Sequence, residues 1–139
     1  MVNEMPAPLT RPLPAITEMN DYFWRGGADG ALHILRCQDC GTYAHPYVGR
    51  CRHCGGKAMA PEGVSGRATV VGFTINHQQW FPHVPTPYIV AIVTIDEQAD
   101  IYLVTNIVNS PVEAMKIGMP VRVLFEQYGD IFVPIFEPA

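Results

Sequence analysis

Serine is almost missing from this chain: among 139 residues only Ser65 and Ser110 occur, and neither stands in a Gly-x-Ser-x-Gly turn. A serine nucleophile presented on a strand-to-helix elbow is therefore excluded. There is no glycine-rich phosphate loop, and no Ser/His/Asp set has a recognisable spacing. Neighbouring carboxylates such as Asp96 and Glu97 fall in a turn where solvation explains them. Long apolar runs are missing too, since none approaches the roughly 20 residues of a membrane-spanning helix. Residues 1–14 are polar and broken by Pro6, Pro8, Pro12 and Pro14, without the basic start and apolar stretch of a secretory leader. We therefore expect a cytoplasmic protein whose thiols stay reduced. Cations are scarce in the second half: over 68–139, Lys116 and Arg122 face seven carboxylates, a net charge of −5. That balance opposes single-stranded nucleic-acid binding, the alternative function for a barrel-and-ribbon protein, on the surface that would have to attract phosphates.

Four cysteines supply the chemistry that is left. Cys37, Cys40, Cys51 and Cys54 form two Cys-x-x-Cys pairs ten residues apart. Each short pair turns two sulfurs toward one ion, and the intervening residues let the second pair fold back to complete a tetrahedral S₄ site. Soft thiolates in a closed tetrahedron suit zinc, one ion per chain; iron in a rubredoxin-like cage is the alternative. Two disulfides fit a reducing compartment poorly, and a redox dithiol needs no matching second pair. Four protein ligands leave no open position, so the expected ion is structural. His33, His45 and His53 lie near in sequence but are not needed as ligands. Basic residues gather around the cysteines: Arg36, Arg50, Arg52, Lys57 and Arg67 against Asp39 and Glu62 give +3 over 36–67. They either compensate the thiolates or form a small phosphate-attracting patch.

An apolar fraction of 48% is enough for the core of one ordinary domain or two small packed modules, and thirteen prolines with twelve glycines argue for short strands and turns. We read a mainly β chain with a flexible lead-in over 1–14, an N-terminal helix within 15–30, a rubredoxin-like zinc ribbon over 31–62 and a barrel over 63–139. The helix is expected over 17–24, capped by Thr17 and stopped by Gly26 and Gly27. Its aromatic face, with Tyr22, Phe23 and Trp24, packs either on its own domain or on a partner. Strands expected at 32–36 and 41–46 flank the first cysteine pair. Further strands at 66–77, 88–95, 101–108, 121–126 and 131–136, with a helical turn near 110–115, match a five-stranded OB-type barrel or an open sandwich. The long first strand, able to bend at Gly72 around a barrel corner, favours the barrel. The proline-stiffened segment 78–87 carries Trp80, Phe81 and His83, candidates to touch a ligand or partner; the plain reading is that Trp80 and Phe81 cap the barrel end.

In chain order, Tyr22-Phe-Trp24, Leu35-Arg-Cys-Gln-Asp-Cys-Gly41, Tyr43, Pro46, Cys51-Arg-His-Cys-Gly55, Val64-Ser-Gly-Arg-Ala-Thr-Val70, Pro87-Tyr-Ile-Val-Ala91, Thr105-Asn106 and Ile117-Gly-Met-Pro-Val121 make an ordered set. Over residues 15–137 this set resembles the OB-fold, zinc-ribbon proteins of the domain-of-unknown-function 35 family, associated with acyl-CoA metabolism. The resemblance implies an accessory subunit of a thiolase-like aldolase or thiolase, such as those that shorten steroid side chains, with the catalytic groups on the partner. Some members are fused to MaoC-type hydratase domains; without such an extension this chain resembles a free-standing subunit or an excised domain. On that reading Arg50, Arg52 and Lys57 are the first choices to meet CoA phosphates. Tyr22, Phe23, Trp24, Trp80 and Phe81 are the expected partner-docking residues.

Overall fold

Apolar residues alternate along the β-rich runs of this sequence, and that alternation gives each strand one face for a common core. The computed structural model describes the backbone of residues 2–4 and all of residues 11–139. Its strands are β1 (Val2–Glu4), β2 (Leu32–Cys37), β3 (Tyr43–Ala44), β4 (Met59–Val64), β5 (Arg67–Asn76), β6 (Tyr88–Ile95), β7 (Tyr102–Ile107), β8 (Pro120–Tyr128) and β9 (Ile131–Pro138), with one short helix, α1 (Asp21–Trp24).

Strands β8, β5, β6, β7 and β9 lie side by side in that order, and β9 returns to β8, closing a five-stranded barrel. All neighbours are antiparallel except β7 and β9, which are parallel and meet at the single pair Ile107–Phe136. This is the expected OB arrangement. Val70, Val93, Val121, Phe125 and Phe136 fill its interior, each with no exposed surface. The expected corner in β5 is a bulge: the register with β6 slips between Val70 and Gly72, leaving Val71 as the extra residue. Pro134 explains why β9 touches β7 so briefly. It has no N–H to continue a ladder, and only its carbonyl is used, accepting from Thr105 Oγ1 at 3.1 Å. The expected helical turn between β7 and β8 is a 3₁₀ turn, Val112–Ala114.

A second sheet, in the order β3-β2-β4, carries the cysteines. β4 pairs with β2 along its full length, from Leu32–Val64 to Cys37–Met59. Its sequence hides it, because Pro61 and Gly63 interrupt any apolar alternation; an edge strand tolerates the missing proline donor. Leu32 and Ile34 are fully buried and join the barrel residues in one core cluster. The turn at Asp96 and Glu97, expected to be merely solvated, ties the two sheets together. The Gln98 side chain accepts from the Tyr43 N–H at 2.9 Å and donates to the Tyr43 carbonyl at 3.0 Å, while Glu97 Oε2 accepts from the Ser65 N–H at 2.7 Å.

The N-terminal helix is shorter than the expected 17–24. Thr17 and Asn20 exchange side-chain and backbone hydrogen bonds, at 2.8 and 3.3 Å, which organises a turn rather than the first helical residues. After α1 the chain does not stop at Gly26 and Gly27 but continues as a 3₁₀ turn to Asp29, ending at Gly30 with φ +83°. Gly27 is required there: a Cβ would lie 2.6 Å from the Phe125 ring and 2.8 Å from Phe132 Cβ. Much of the lead-in expected over 1–14 lies outside the described residues. In the described part, β1 runs parallel beside β8, pairing Val2 with Phe125. Arg11 Nε lies 2.7 Å from Glu126 Oε1, Arg11 Nη1 donates to Asn106 Oδ1 at 2.8 Å, and Leu13 packs on a small outer core of Leu124, Tyr128, Val133 and Ile135. Residues 11–14 are thus a strap laid over β8 and β9.

Candidate metal centre

Each cysteine pair sits on a turn that the sequence repeats, Arg36-Cys-Gln-Asp-Cys-Gly41 and Arg50-Cys-Arg-His-Cys-Gly55. In both copies the N–H of the closing glycine donates to the first cysteine's carbonyl, Gly41 to Cys37 at 2.8 Å and Gly55 to Cys51 at 2.9 Å. Both glycines need positive φ, +82° and +77°, where a side chain would be strained. The arginine ahead of each pair closes the same turn from outside. Arg36 Nε donates to the Gly41 carbonyl at 2.8 Å, and Arg50 Nη1 donates to the Gly55 carbonyl at 2.7 Å. These two arginines are structural parts of the turns that sequence reasoning missed; the repeated Arg-Cys-x-x-Cys-Gly was the signal that could have found them.

The two turns bring the four sulfurs within 4.8 Å of one another. Cys37 and Cys54 are 3.6 Å apart, as are Cys40 and Cys51. A tetrahedral ion with metal–sulfur bonds of about 2.3 Å needs sulfur–sulfur edges of about 3.8 Å, so the quartet fits such an ion. The N–H groups of His53 and Gly56 point at the Cys51 and Cys54 sulfurs, at 3.3 and 3.4 Å, where they stabilise thiolate charge. The Cys40 pKa is held down to about 6 by its hydrogen bonds with the Thr42 side chain, 3.3 Å from its sulfur, and the Thr42 backbone. For Cys54 the Gly56 N–H is the largest influence and acts downward, yet the neighbouring sulfurs of Cys37, Cys40 and Cys51 together push it up to about 12. Four thiols this close cannot all ionise without a cation among them.

No histidine belongs to the cluster. His33 Nε2 lies 3.3 Å from Asp29 Oδ2, His53 contributes only its backbone N–H, and His45 stacks on Phe23 with ring centres 4.8 Å apart. Burial lowers the pKa of His45 below its ordinary value.

The other sequence candidates are scattered. Arg52 and Lys57 are exposed on the second turn, whereas Arg50 is tied to Gly55. Arg36 is built into the ribbon, its guanidinium 4.6 Å above the Tyr43 ring and 3.2 Å from Glu62. Among the expected docking residues Phe23 needs correction. It is buried between Trp24 and His45 in the chain's own core, so its ring is not available to a partner. Tyr22 and Trp24 are half-buried. Trp80 and Phe81 are 67% and 46% exposed, and Phe81 lines a cavity with Tyr88, Ile107 and Val108 of the barrel.

A family profile described as ChsH2, C-terminal OB-fold domain, matches residues 62–126. Over 130 residues the chain is 33% identical to a probable enoyl-CoA hydratase alpha subunit from Thermomonospora curvata, covering 93% of this chain and 40% of that protein. It is 26% identical over 125 residues to the 3-oxo-4,17-pregnadiene-20-carboxyl-CoA hydratase alpha subunit of Mycobacterium tuberculosis, covering 90% and 39%. The chain therefore spans 39–40% of the length of these curated relatives. Among solved structures, a chain of the Ltp2-ChsH2(DUF35) aldolase superposes with a TM-score of 0.81 at 31% identity, covering 91% of this chain and 98% of that one. A DUF35-family protein of unknown function from Sulfolobus solfataricus superposes with a TM-score of 0.63 at 17% identity over 88% and 86%, a likeness of fold alone.

Proposed function

The chain belongs to the DUF35 family, with an OB-fold of the ChsH2 type, and on that premise we propose that it is a non-catalytic accessory subunit of a thiolase-like acyl-CoA enzyme. The partner is an aldolase or thiolase; the similar structure's description as an aldolase points to retro-aldol cleavage, and the 3-oxo-4,17-pregnadiene-20-carboxyl-CoA named for the Mycobacterium hydratase subunit points to a steroid side chain as its substrate. One observation carries the reading: nearly the whole chain matches nearly the whole of one chain from an enzyme described by two protein names, Ltp2 and ChsH2. The side chains agree with a non-catalytic role. The four cysteines turn toward each other, where an ion would satisfy them, and both serines hold local backbone groups, Ser65 Oγ accepting from the Arg67 N–H and Ser110 Oγ donating to the Pro111 carbonyl.

We assign zinc to Cys37, Cys40, Cys51 and Cys54 because a closed thiolate tetrahedron suits it and its role is to fix the ribbon. Arg52 and Lys57 are left as the freer candidates for CoA phosphates, helping to shape the acyl-CoA site at the interface, in the cytoplasm where the thiols stay reduced. Among the described residues no helix is long and apolar enough to cross a membrane. The test is reconstitution. Purified chain is mixed with a catalytic subunit such as Ltp2, and complex formation, bound zinc and acyl-CoA turnover are measured together. A complex with one zinc per chain, turning over more substrate than either protein alone, is the expected outcome. Full turnover by the catalytic subunit alone, with no complex, would sink the reading.

A further inference from the structure

A groove of about 610 Å³ lies between α1, the His45–Tyr47 segment and β7. Twelve residues line it and none carries a formal charge, in a chain where 16% of residues are charged. Burial lowers the pKa of its one imidazole, His45, and so disfavours the charged form. The large apolar side chains exposed on it are Met19, Tyr47, Tyr102 and Val104, at 56%, 43%, 56% and 75%, beside exposed Thr17 and Pro46 and half-buried Tyr22 and Trp24. Tyr102 and Val104 occupy outward positions of β7, where a solvated barrel face should carry polar side chains. Ile92, paired with Val104 across β6 and 41% exposed, extends the same surface.

This chemistry narrows the occupant. A charged ligand, whether nucleic-acid phosphate or an ionic peptide, would lose its hydration here and gain no partner. A small apolar ligand would stay too exposed, since such ligands are typically enclosed over 70–90% or more of their surface. Exposed tyrosine, methionine and a branched aliphatic without charge are the composition of the buried centre of a protein–protein interface. Resting on the accessory-subunit reading above, we propose that this groove, and not the Trp80–Phe81 loop, is the main docking site for the catalytic subunit, seating an uncharged apolar segment of it.

The experiment measures affinity for purified Ltp2 as the probe, using the wild-type chain and the variants Val104→Asp, Tyr102→Ser and Trp80→Ala. Metal content and thermal melting report whether each variant is folded. Both groove substitutions replace outward side chains, so if one of them misfolds the other decides. The expected result is at least a tenfold loss of affinity for the groove variants, little change for Trp80→Ala, and wild-type binding that survives a rise from about 0.1 to about 1 M salt, because no charges are being screened. Groove variants that bind like wild type while Trp80→Ala weakens would overturn the groove and leave the accessory role standing. A dimer of the chain alone, split by Val104→Asp in light scattering, would make a second copy the occupant and overturn the proposal. A wild-type chain that never binds Ltp2 would remove the accessory reading and the groove with it.

Discussion

At the scale of single residues, the ribbon is held by small repeated contacts around four sulfurs spaced to fit one ion. Replacing Cys37 or Cys51 with serine removes a buried ligand, so metal content measured by mass spectrometry should fall to near zero and the segment 38–58 should become open to proteolysis. Arg36→Ala and Arg50→Ala leave all four sulfurs in place and remove only the bond to Gly41 or Gly55. Each should cost about 1 kcal/mol by urea unfolding, below the usual range for a charged donor because both sites reach solvent. The cost should be larger for Arg36, which also covers Tyr43. His45 gives a pH dependence. Its folded pKa is lowered by burial, so the unfolded chain binds the proton more readily. Stability is full above the unfolded value of about 6.5 and declines as pH falls from there toward the depressed folded value. His45→Gln, measured on metal-loaded protein, should flatten that slope; an unchanged slope would assign it to other groups.

At the scale of elements, glycines and one buried ion pair decide how strands and strap meet. Gly66 combines φ +82° with a Cβ position 2.5 Å from Val123 Cγ1. Gly66→Ala should therefore destabilise by about 1–3 kcal/mol, through backbone strain and overpacking together. The strap depends on Arg11 meeting Glu126, whose side chain is 8% exposed and also accepts from the Tyr128 hydroxyl at 3.2 Å. Arg11→Ala leaves that carboxylate buried without its cation and should cost more than Glu126→Gln, which keeps the shape and removes the charge. A double-mutant cycle in urea gives the coupling directly. The strap could not be read from sequence because its signals, Pro12 and Pro14 around a single leucine, describe local stiffness and say nothing of a distant carboxylate. β4 was equally hidden, its pairing set by β2 rather than by its own composition. The five barrel strands were legible because burial on one face imposes alternation and β-branched residues over each run.

At the scale of the whole molecule, the ribbon and the barrel divide in sequence but not in packing. Leu32, Ile34 and Tyr43 belong to the same cluster as Val93 and Phe136, and Gln98 pins Tyr43 to the barrel. Chelation should therefore lower the melting temperature of the entire chain in one transition, followed by near-ultraviolet circular dichroism. Two separate transitions would show the ribbon of 31–62 and the barrel of 63–139 to be independent domains. The shared core also bears on deletion experiments. Removing residues 1–26 would take Phe23 from the main core and Leu13 from the outer one, so loss of partner binding would report misfolding as much as docking.

Sequence alone determined the clustering of the four cysteines and the barrel. Cysteine spacing is a local constraint, because a Cys-x-x-Cys turn ending in glycine can present two sulfurs wherever it occurs. Strand periodicity is local too, since it follows from having one buried face. What the tertiary structure decided was which side chains remain free. Phe23 and Trp80 look alike in sequence, yet one is buried under its own fold and the other stands in solvent. Arg50 and Arg52 are two residues apart, yet one closes a turn and the other faces outward. The uncharged groove gathers residues from 17–24, 45–47 and 102–104. No window of sequence contains that set, because only the packing of α1 and the ribbon against β7 brings it together.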